Sequence, residues 1–293
     1  EYMDSFLSLK PKMEIILNID SDHLDYFKDI DHIVSSFDRF AHLVPEAGTI
    51  IAYDANPFVN RVIQGLDNVV TFGLNENCDY CAKNILFDEN GMPSFDVFHK
   101  GEKLNRVQLR IPGEHNILSA LAAYACGHTL GVDSKIIKET LESYHGTQRR
   151  FDIVGTTSKG VKIVDDYAHH PTEIKATLDA SQNVPHNKLW CLFQPHTYTR
   201  TMALFDDFAE AFNKADKLIL AEIYAAREKN IYKISSAQLA ERIQQTHPNK
   251  EVLFMESFDA LADYVDRNAQ PGDMVITMGA GDIYKVGEML LEK

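Results

Sequence analysis

A chain of 293 residues with 45% hydrophobic side chains is long enough for two ordinary domains, each with a core of its own. Its net charge of −14 argues against the basic surface that a phosphate backbone selects, so no nucleic-acid partner is expected. No apolar run nears the roughly 18 residues of a membrane span, and Glu1-Tyr2-Met3-Asp4 lacks the features of a secretory leader, so a cytoplasmic protein without membrane association is expected.

In chain order, Met13–Asn18 reads as a strand, Ile30–Leu43 as a helix and Thr49–Tyr53 as a short strand, with a helical turn from Asn56. After Val69–Phe72 come three alternating stretches, Asp79–Phe87, Ser94–His99 and Lys103–Ile111, which Asn90-Gly91 and Lys100-Gly101 divide as hairpin turns. The strongly apolar segment Asn116–Leu130 predicts a helix that Gly131 ends, and a further helix spans Ser134–Tyr144. Cys78 and Cys81 form a C-x-x-C, but neither a second pair nor suitably spaced histidines follow, so they read as two thiols on a strand. Together with Cys126 and Cys191 they make no disulfide framework.

From residue 151 strands and helices alternate. Val161–Val164, Leu189–Phe193, Leu218–Ala221, Val252–Met255 and Met274–Met278 are short continuous apolar runs. Helical patterns over Pro171–Gln182, Met202–Asn213, Ala237–Gln245 and Phe258–Asn268 separate them. Runs apolar on both faces, joined by helices, predict a doubly wound α/β domain around a parallel sheet. The boundary is expected near Arg150–Gly155, giving domains of residues 1–150 and 151–293.

Ligands of an open parallel sheet bind outside the carboxyl ends of its strands. The residues that follow the apolar runs are Asp165-Asp166-Tyr167-Ala168-His169-His170, Gln194-Pro195-His196-Thr197-Tyr198-Thr199-Arg200, Glu222-Ile223-Tyr224-Ala225-Ala226-Arg227-Glu228 and Gly279-Ala280-Gly281-Asp282. Acids, imidazoles and guanidinium groups on one edge point to a binding site. Singly, each signal is weaker. Gly279-x-Gly281 suits either a phosphate cradle or a tight turn. Adjacent His169 and His170 suit hydrogen bonds to substrate or backbone better than one shared metal, and Arg200 and Arg227 suit either a bound anion or surface ion pairs.

The first part holds two more candidates. Asn18-Ile19-Asp20-Ser21-Asp22-His23-Leu24-Asp25 follows a buried strand with oxygen and imidazole groups fit for a hard cation, although helix capping by Asp20 or Asp22 explains it equally well. Pro112-Gly113-Glu114-His115-Asn116 opens the apolar helix, where amide groups and Asn116 could read a polar ring or an anion; capping is the plainer alternative. Arg149-Arg150-Phe151 sits at the domain junction.

Taken together and in this order, these strings resemble the Mur ligases over essentially the whole chain. Asn18-Ile19-x-x-Asp22-His23-x-Asp25 is similar to the family's central-domain metal motif and Pro112-Gly113-x-His115-Asn116 to its adenine-contacting helix. Arg149-Arg150-Phe151-Asp152 is similar to its junction arginine motif. Asp165 to Glu173 and Phe193 to Thr201 are similar to the family's alanine-adding branch, and the latter string differs from that of its murein-tripeptide recycling branch. Glu1-Tyr2-x-x-Ser5-Phe6 resembles the tail of the family's Glu-x-Asp-Glu segment, and Glu1 is not assigned to metal.

The resemblance implies a partial central ATP-binding domain followed by a Rossmann-like ligase domain. It implies ATP-dependent joining of L-alanine to UDP-N-acetylmuramate through an acyl phosphate, with Mg2+. Residue by residue, it makes His23 a magnesium ligand, Asn116 an adenine contact, Arg150 a phosphate contact and Asp166 a ribose contact. His23 and Arg150 are then the catalytic residues, and His169, His196, Arg200, Tyr224 and Arg227 line the acceptor and amino-acid side. Ser119 and Thr197 depart from an asparagine and an arginine common in the family. No lysine lies between Asp29 and Glu46, so a carbamylated lysine is not expected.

The sequence also lacks G-x-x-x-x-G-K-[ST], the loop that holds β- and γ-phosphates. The chain by itself is therefore expected not to transfer phosphate, and residues 1–150 are expected to be less stable than 151–293 or to be shielded by another chain. A non-catalytic nucleotide- or partner-binding module is the competing function.

Overall fold

Apolar runs become buried strands, and the stretches between them become helices, in two separate units of the computed structural model, Glu1–His145 and Gly146–Lys293. The structure describes residues 2–24 and 26–293, Tyr2 by its backbone alone; Glu1 and Asp25, each part of a motif above, lie outside the described residues. The division falls five residues before the expected boundary, so Arg149 and Arg150 belong to the second unit.

The first unit is built from β1 (Met13–Ile16), α1 (Ile30–Ala41), β2 (Thr49–Tyr53), α2 (Pro57–Ile63), β3 (Val69–Gly73), β4 (Tyr80–Phe87), β5 (Pro93–His99), β6 (Glu102–Gln108), α3 (Glu114–Thr129) and α4 (Ser134–Ser143). Its six strands lie in chain order, parallel from β1 to β4 and antiparallel from β4 to β6. Local chemistry sets the ends. Asp29 caps α1 through the His32 amide, and Asn56 caps α2 ahead of Pro57. Lys100 and Gly101 both take positive φ (48° and 84°) in the two-residue link from β5 to β6, as a type I′ turn requires. Gly131 (φ 80°) ends α3: its amide bonds the His128 carbonyl, and that of Val132 bonds Gly127.

Neighbouring residues of β2 serve opposite faces of this sheet. Ile50 packs with Ile16, Val34 and Ala41 beneath α1 and α2. Ile51 packs with Phe72, Phe95, Leu121 and Tyr124 beneath α3. Because α3 touches the core around much of its circumference, its sequence is apolar nearly all round.

The second unit comprises β7 (Asp152–Thr156), β8 (Lys162–Asp166), α5 (Pro171–Ser181), β9 (Leu189–Phe193), α6 (Tyr198–Ala203), α7 (Phe205–Ala209), β10 (Lys217–Leu220), α8 (Ser236–Thr246), β11 (Glu251–Phe254), α9 (Phe258–Asn268), β12 (Met274–Met278) and α10 (Tyr284–Leu291). The strand order is β11-β10-β9-β12-β8-β7, parallel apart from β7. The chain steps outward from β8 through β9 and β10 to β11, then returns to place β12 between β9 and β8. That reversal puts helices on both faces. Trp190, Ile219 and Val275 pack with α9 and α10, whereas Phe193 packs on Phe208 and Phe212. β9 and β12 are buried along their whole lengths, which is why they read as unbroken apolar runs.

Two expectations need correction. Asp152–Thr156 forms an antiparallel edge strand that apolar patterning overlooks, because Ile153 and Val154 are each 45% exposed. The single helix expected over Met202–Asn213 is instead the pair α6 and α7, broken where buried Leu204 leaves helical dihedrals (φ −113°, ψ 25°).

Candidate active site at the strand ends of the second unit

The carboxyl end of β8 delivers two carboxylates, each 4% exposed, with different partners. Asp165 accepts from Thr277 Oγ1 at 2.8 Å and pairs with Arg149 Nε at 2.8 Å. Asp166 accepts the backbone N–H groups of Ala168 (2.7 Å) and Phe151 (2.8 Å). Burial raises its carboxyl above the ordinary range, outweighing those bonds.

Past β8, the two histidines serve different backbone groups. His169 Nδ1–H donates to the Tyr167 carbonyl at 2.9 Å and lies 3.4 Å from Glu173 Oε2. His170 is the N-cap of α5, its Nδ1 accepting from the Thr172 amide while Glu173 completes a capping box.

From β9 and β10 come the next members. His196 and Tyr224 form a β-bridge, with their rings stacked at 5.7 Å and 14°. The His196 ring lies 5.7 Å from that of His169, and Arg200 Nη1 donates to His196 Nδ1 at 3.1 Å. That bond makes Nδ1 an acceptor, so in a neutral imidazole the proton is on Nε2. Arg150, with its side chain half exposed, lies over the Tyr167 ring at 5.3 Å and 3.5 Å from Glu173. Arg227 is exposed on the loop after β10, without an ion pair or hydrogen bond among the described residues. Asp166, His169, His196, Arg200 and Tyr224 are thus brought to one edge together with Arg150.

The glycine turn after β12 is closely packed. A Cβ on Gly281 would sit 2.4 Å from Gln194 Oε1 and 2.8 Å from the Tyr224 ring. The Gly279 amide donates to the Asp166 carbonyl and the Asp282 amide to Gln194 Oε1. The carbonyls of Gly279 and Gly281 accept from Arg149. Through these two amides and two carbonyls the turn joins strand ends.

His23 and Asn116 belong to the first unit. His23 follows β1 in a left-handed conformation (φ 53°), with its amide on Asp22 Oδ1 and Nε2 3.9 Å from Asp22 Oδ2. Among the described residues no group of three or more His, Cys, Asp or Glu is arranged to hold a metal. Magnesium keeps several waters and shares its shell with phosphates, so a single protein ligand such as His23 is chemically compatible with it. Asn116 donates to the Pro112 carbonyl at 2.7 Å, and the N-cap of α3 is Gly113 (φ 102°), which offers no capping side chain. Cys78 and Cys81 are buried and free, and burial pushes both thiols up.

Sequence reasoning named no role for Arg149, Asp165 or Gln194, which make most of the polar bonds joining these strand ends. Their position directly after apolar runs, or in the junction string, was the available signal.

Two family models match the chain: Mur ligase middle domain over residues 2–127 and Mur ligase, glutamate ligase domain, over residues 149–281. A UDP-N-acetylmuramate–L-alanine ligase of Caldanaerobacter subterraneus subsp. tengcongensis is 49% identical over 100% of this chain, which spans 63% of that relative's length. The crystal structure of a UDP-N-acetylmuramate–alanine ligase from Thermotoga maritima superposes with a TM-score of 0.78 at 25% identity, covering 99% of this chain and 61% of that one. A MurF ligase from Thermotoga maritima in complex with ADP shares the fold at a TM-score of 0.75 and 21% identity, over 96% of this chain and 62% of that one. No described helix is long and apolar enough to cross a membrane. With two domain models spanning most of its length and a near-half-identical relative aligned along all of this chain, the chain belongs to the Mur ligase family.

Proposed function

We propose that this chain is the part of a UDP-N-acetylmuramate–L-alanine ligase that handles nucleotide and amino acid. The carrying observation is the row of His169, His196, Tyr224 and Arg200 at the strand ends, in a chain 49% identical along its whole length to a ligase of that name. A carboxylate is a poor electrophile. Transfer of the ATP γ-phosphoryl group to the muramate carboxylate makes an acyl phosphate, and attack by the alanine amine then releases phosphate and leaves the amide. Cationic side chains offset the charge crowding of phosphates and carboxylate.

In this reading Arg150 meets the ATP phosphates. Its guanidinium is half exposed, and its 3.5 Å approach to Glu173 is loose enough to exchange for a phosphate. Asn116 would contact adenine and Asp166 the ribose, the latter with carboxylate acceptor capacity beyond its bonds from Phe151, Ala168 and Thr177. Arg227 and Arg200 offer guanidinium groups, and His169, His196 and Tyr224 a ring-lined wall, to the amino acid and the acceptor. His23 would contribute one ligand to Mg2+, which when bound supplies charge neutralisation on the phosphates. Nucleotide and nucleotide-sugar substrates place the protein in the cytoplasm, and neither nucleic acid nor membrane has a part in the reaction.

The test is phosphate release and amide formation by the full gene product with ATP, UDP-N-acetylmuramate and L-alanine, run beside the 293-residue chain. The full product is expected to form the amide, and Arg150→Met to lower kcat/KM by about a hundredfold or more, the scale of losing a transition-state charge contact. The isolated chain is expected to release no phosphate, since it has no glycine-rich lysine loop. If the full product turns over the tripeptide but not alanine, the alanine assignment is wrong.

A further inference from the structure

The junction arginine that the reading above leaves without a role, Arg149, is a heavily engaged guanidinium at the strand ends. Nε donates to Asp165 at 2.8 Å; Nη2 donates to the carbonyls of Gly279 at 2.7 Å and Gly281 at 3.2 Å. Its Cζ lies 4.9 Å from the Tyr167 ring centre and 4.8 Å from that of Tyr284. One side chain thus ties the junction to β8, to the turn after β12 and to the start of α10.

The backbone around it is strained in a telling way. Arg149 (φ 59°) and Phe151 (φ 47°) are both left-handed and flank Arg150 on either side. Left-handed geometry is unfavourable for an ordinary residue, so such a pair persists only where neighbours enforce it. The enforcement comes from the two carboxylates ending β8. Asp165 holds the Arg149 guanidinium, and Asp166 accepts the Phe151 amide. The Arg149 carbonyl also accepts from the Tyr167 amide at 2.7 Å, and Tyr167 is the ring over which Arg150 lies.

We infer that Arg149, through its pairing with Asp165, is a positioning residue that fixes the presentation of Arg150 toward its anionic ligand. Its Nε and Nη2 donors are spent on the protein, so Arg149 acts by holding this framework while Arg150 meets the ligand. A guanidinium is required because the contacts need a planar fork and a stacking surface together, which an ammonium group does not supply. This inference rests on the role proposed for Arg150.

A double-mutant cycle in the full gene product separates the two ideas. Arg149→Lys, Arg150→Met and the pair are compared for kcat and for KM of ATP, with Asp165→Asn as an independent way to release the clamp and melting curves as a check on folding. Arg149→Lys and Asp165→Asn are each expected to lower kcat/KM for ATP about tenfold or more in wild-type background, yet by less than about twofold once Arg150 is already Met. Effects of equal size in both backgrounds, or wild-type kinetics for Arg149→Lys, overturn the positioning role. Wild-type kinetics for Arg150→Met instead overturn the phosphate role of Arg150, whatever Arg149 does. If Arg149→Lys melts early, the Asp165→Asn arm of the cycle decides.

Discussion

Glu14 sits on β1 with 5% of its surface exposed, and neither of its carboxylate oxygens has a hydrogen-bond partner among the described residues. Burial pushes its carboxyl up to about 7 from an ordinary 4.5. Between those values the folded chain holds a proton that the unfolded chain has lost. Stability is therefore greatest below the lower value, falls as pH rises through the window and is fully reduced above about 7, by roughly 3 kcal/mol. Glu14→Met is expected to raise the urea midpoint at pH 8 and to lose most of that advantage by pH 4.5. An advantage independent of pH would show that the carboxylate is solvated after all. Gly281 is limited by space: with Gln194 Oε1 2.4 Å from its would-be Cβ, Gly281→Ala must displace a side chain held by two bonds. Overpacking of this kind costs about 1–3 kcal/mol, so calorimetry should show the second unit melting several degrees earlier.

Among the elements, the β4–β6 ladder depends on one acid. Asp96 on β5 is 4% exposed and receives Lys103 at 2.8 Å, Arg106 at 3.0 Å and Asn84 at 2.9 Å. The hydrogen bonds from Lys103 and Asn84 lead in holding its carboxyl down at about 2, against an ordinary 3.8. Here the sign reverses: the contribution is present above the ordinary value and is lost as pH falls toward 2. Asp96→Asn should speed amide exchange in β5 and β6 at pH 7, with mutant and parent converging near pH 2. The same ladder shows how far patterning reaches. Alternation and two turn dipeptides placed all three strands to within a residue or two at their starts, but the register shift between Lys83 and Leu86, where Asn84 turns left-handed (φ 52°), carried no such mark. β7 escaped because an antiparallel edge strand buries little, and the α6–α7 break escaped because the apolar positions run through Leu204 without interruption.

For the chain as a whole, two units with separate cores predict two unfolding steps. In the first unit β1 is an edge strand with Ile15 39% exposed and Leu17, just past its end, 44% exposed, and its Glu14 carboxylate has no hydrogen-bond partner among the described residues. In the second, β9 and β12 are interior and buried throughout. Residues 13–16 and their neighbours should therefore exchange their amides well before residues 189–193 and 274–278. Equal protection in both units by mass-resolved hydrogen exchange would count against this.

Whatever depends on local covalent pattern was legible in the residues alone: the apolar runs of the parallel strands, the capping and glycine stops, and the order of chemistry-bearing strings that identifies the family. Those features follow from side-chain periodicity and backbone sterics, which act over a few residues. What tertiary structure decided is the polar bonding among distant segments. That Arg149 meets Gly279 and Gly281 across 130 and 132 positions, and that Gly279-x-Gly281 is a packed turn, depend on β12 inserting between β8 and β9, whereas the Phe151 bond to Asp166 depends on β7 folding back on β8. Hydrogen bonds of this kind are short-ranged in space but indifferent to sequence separation, so only the folded strand order reveals them.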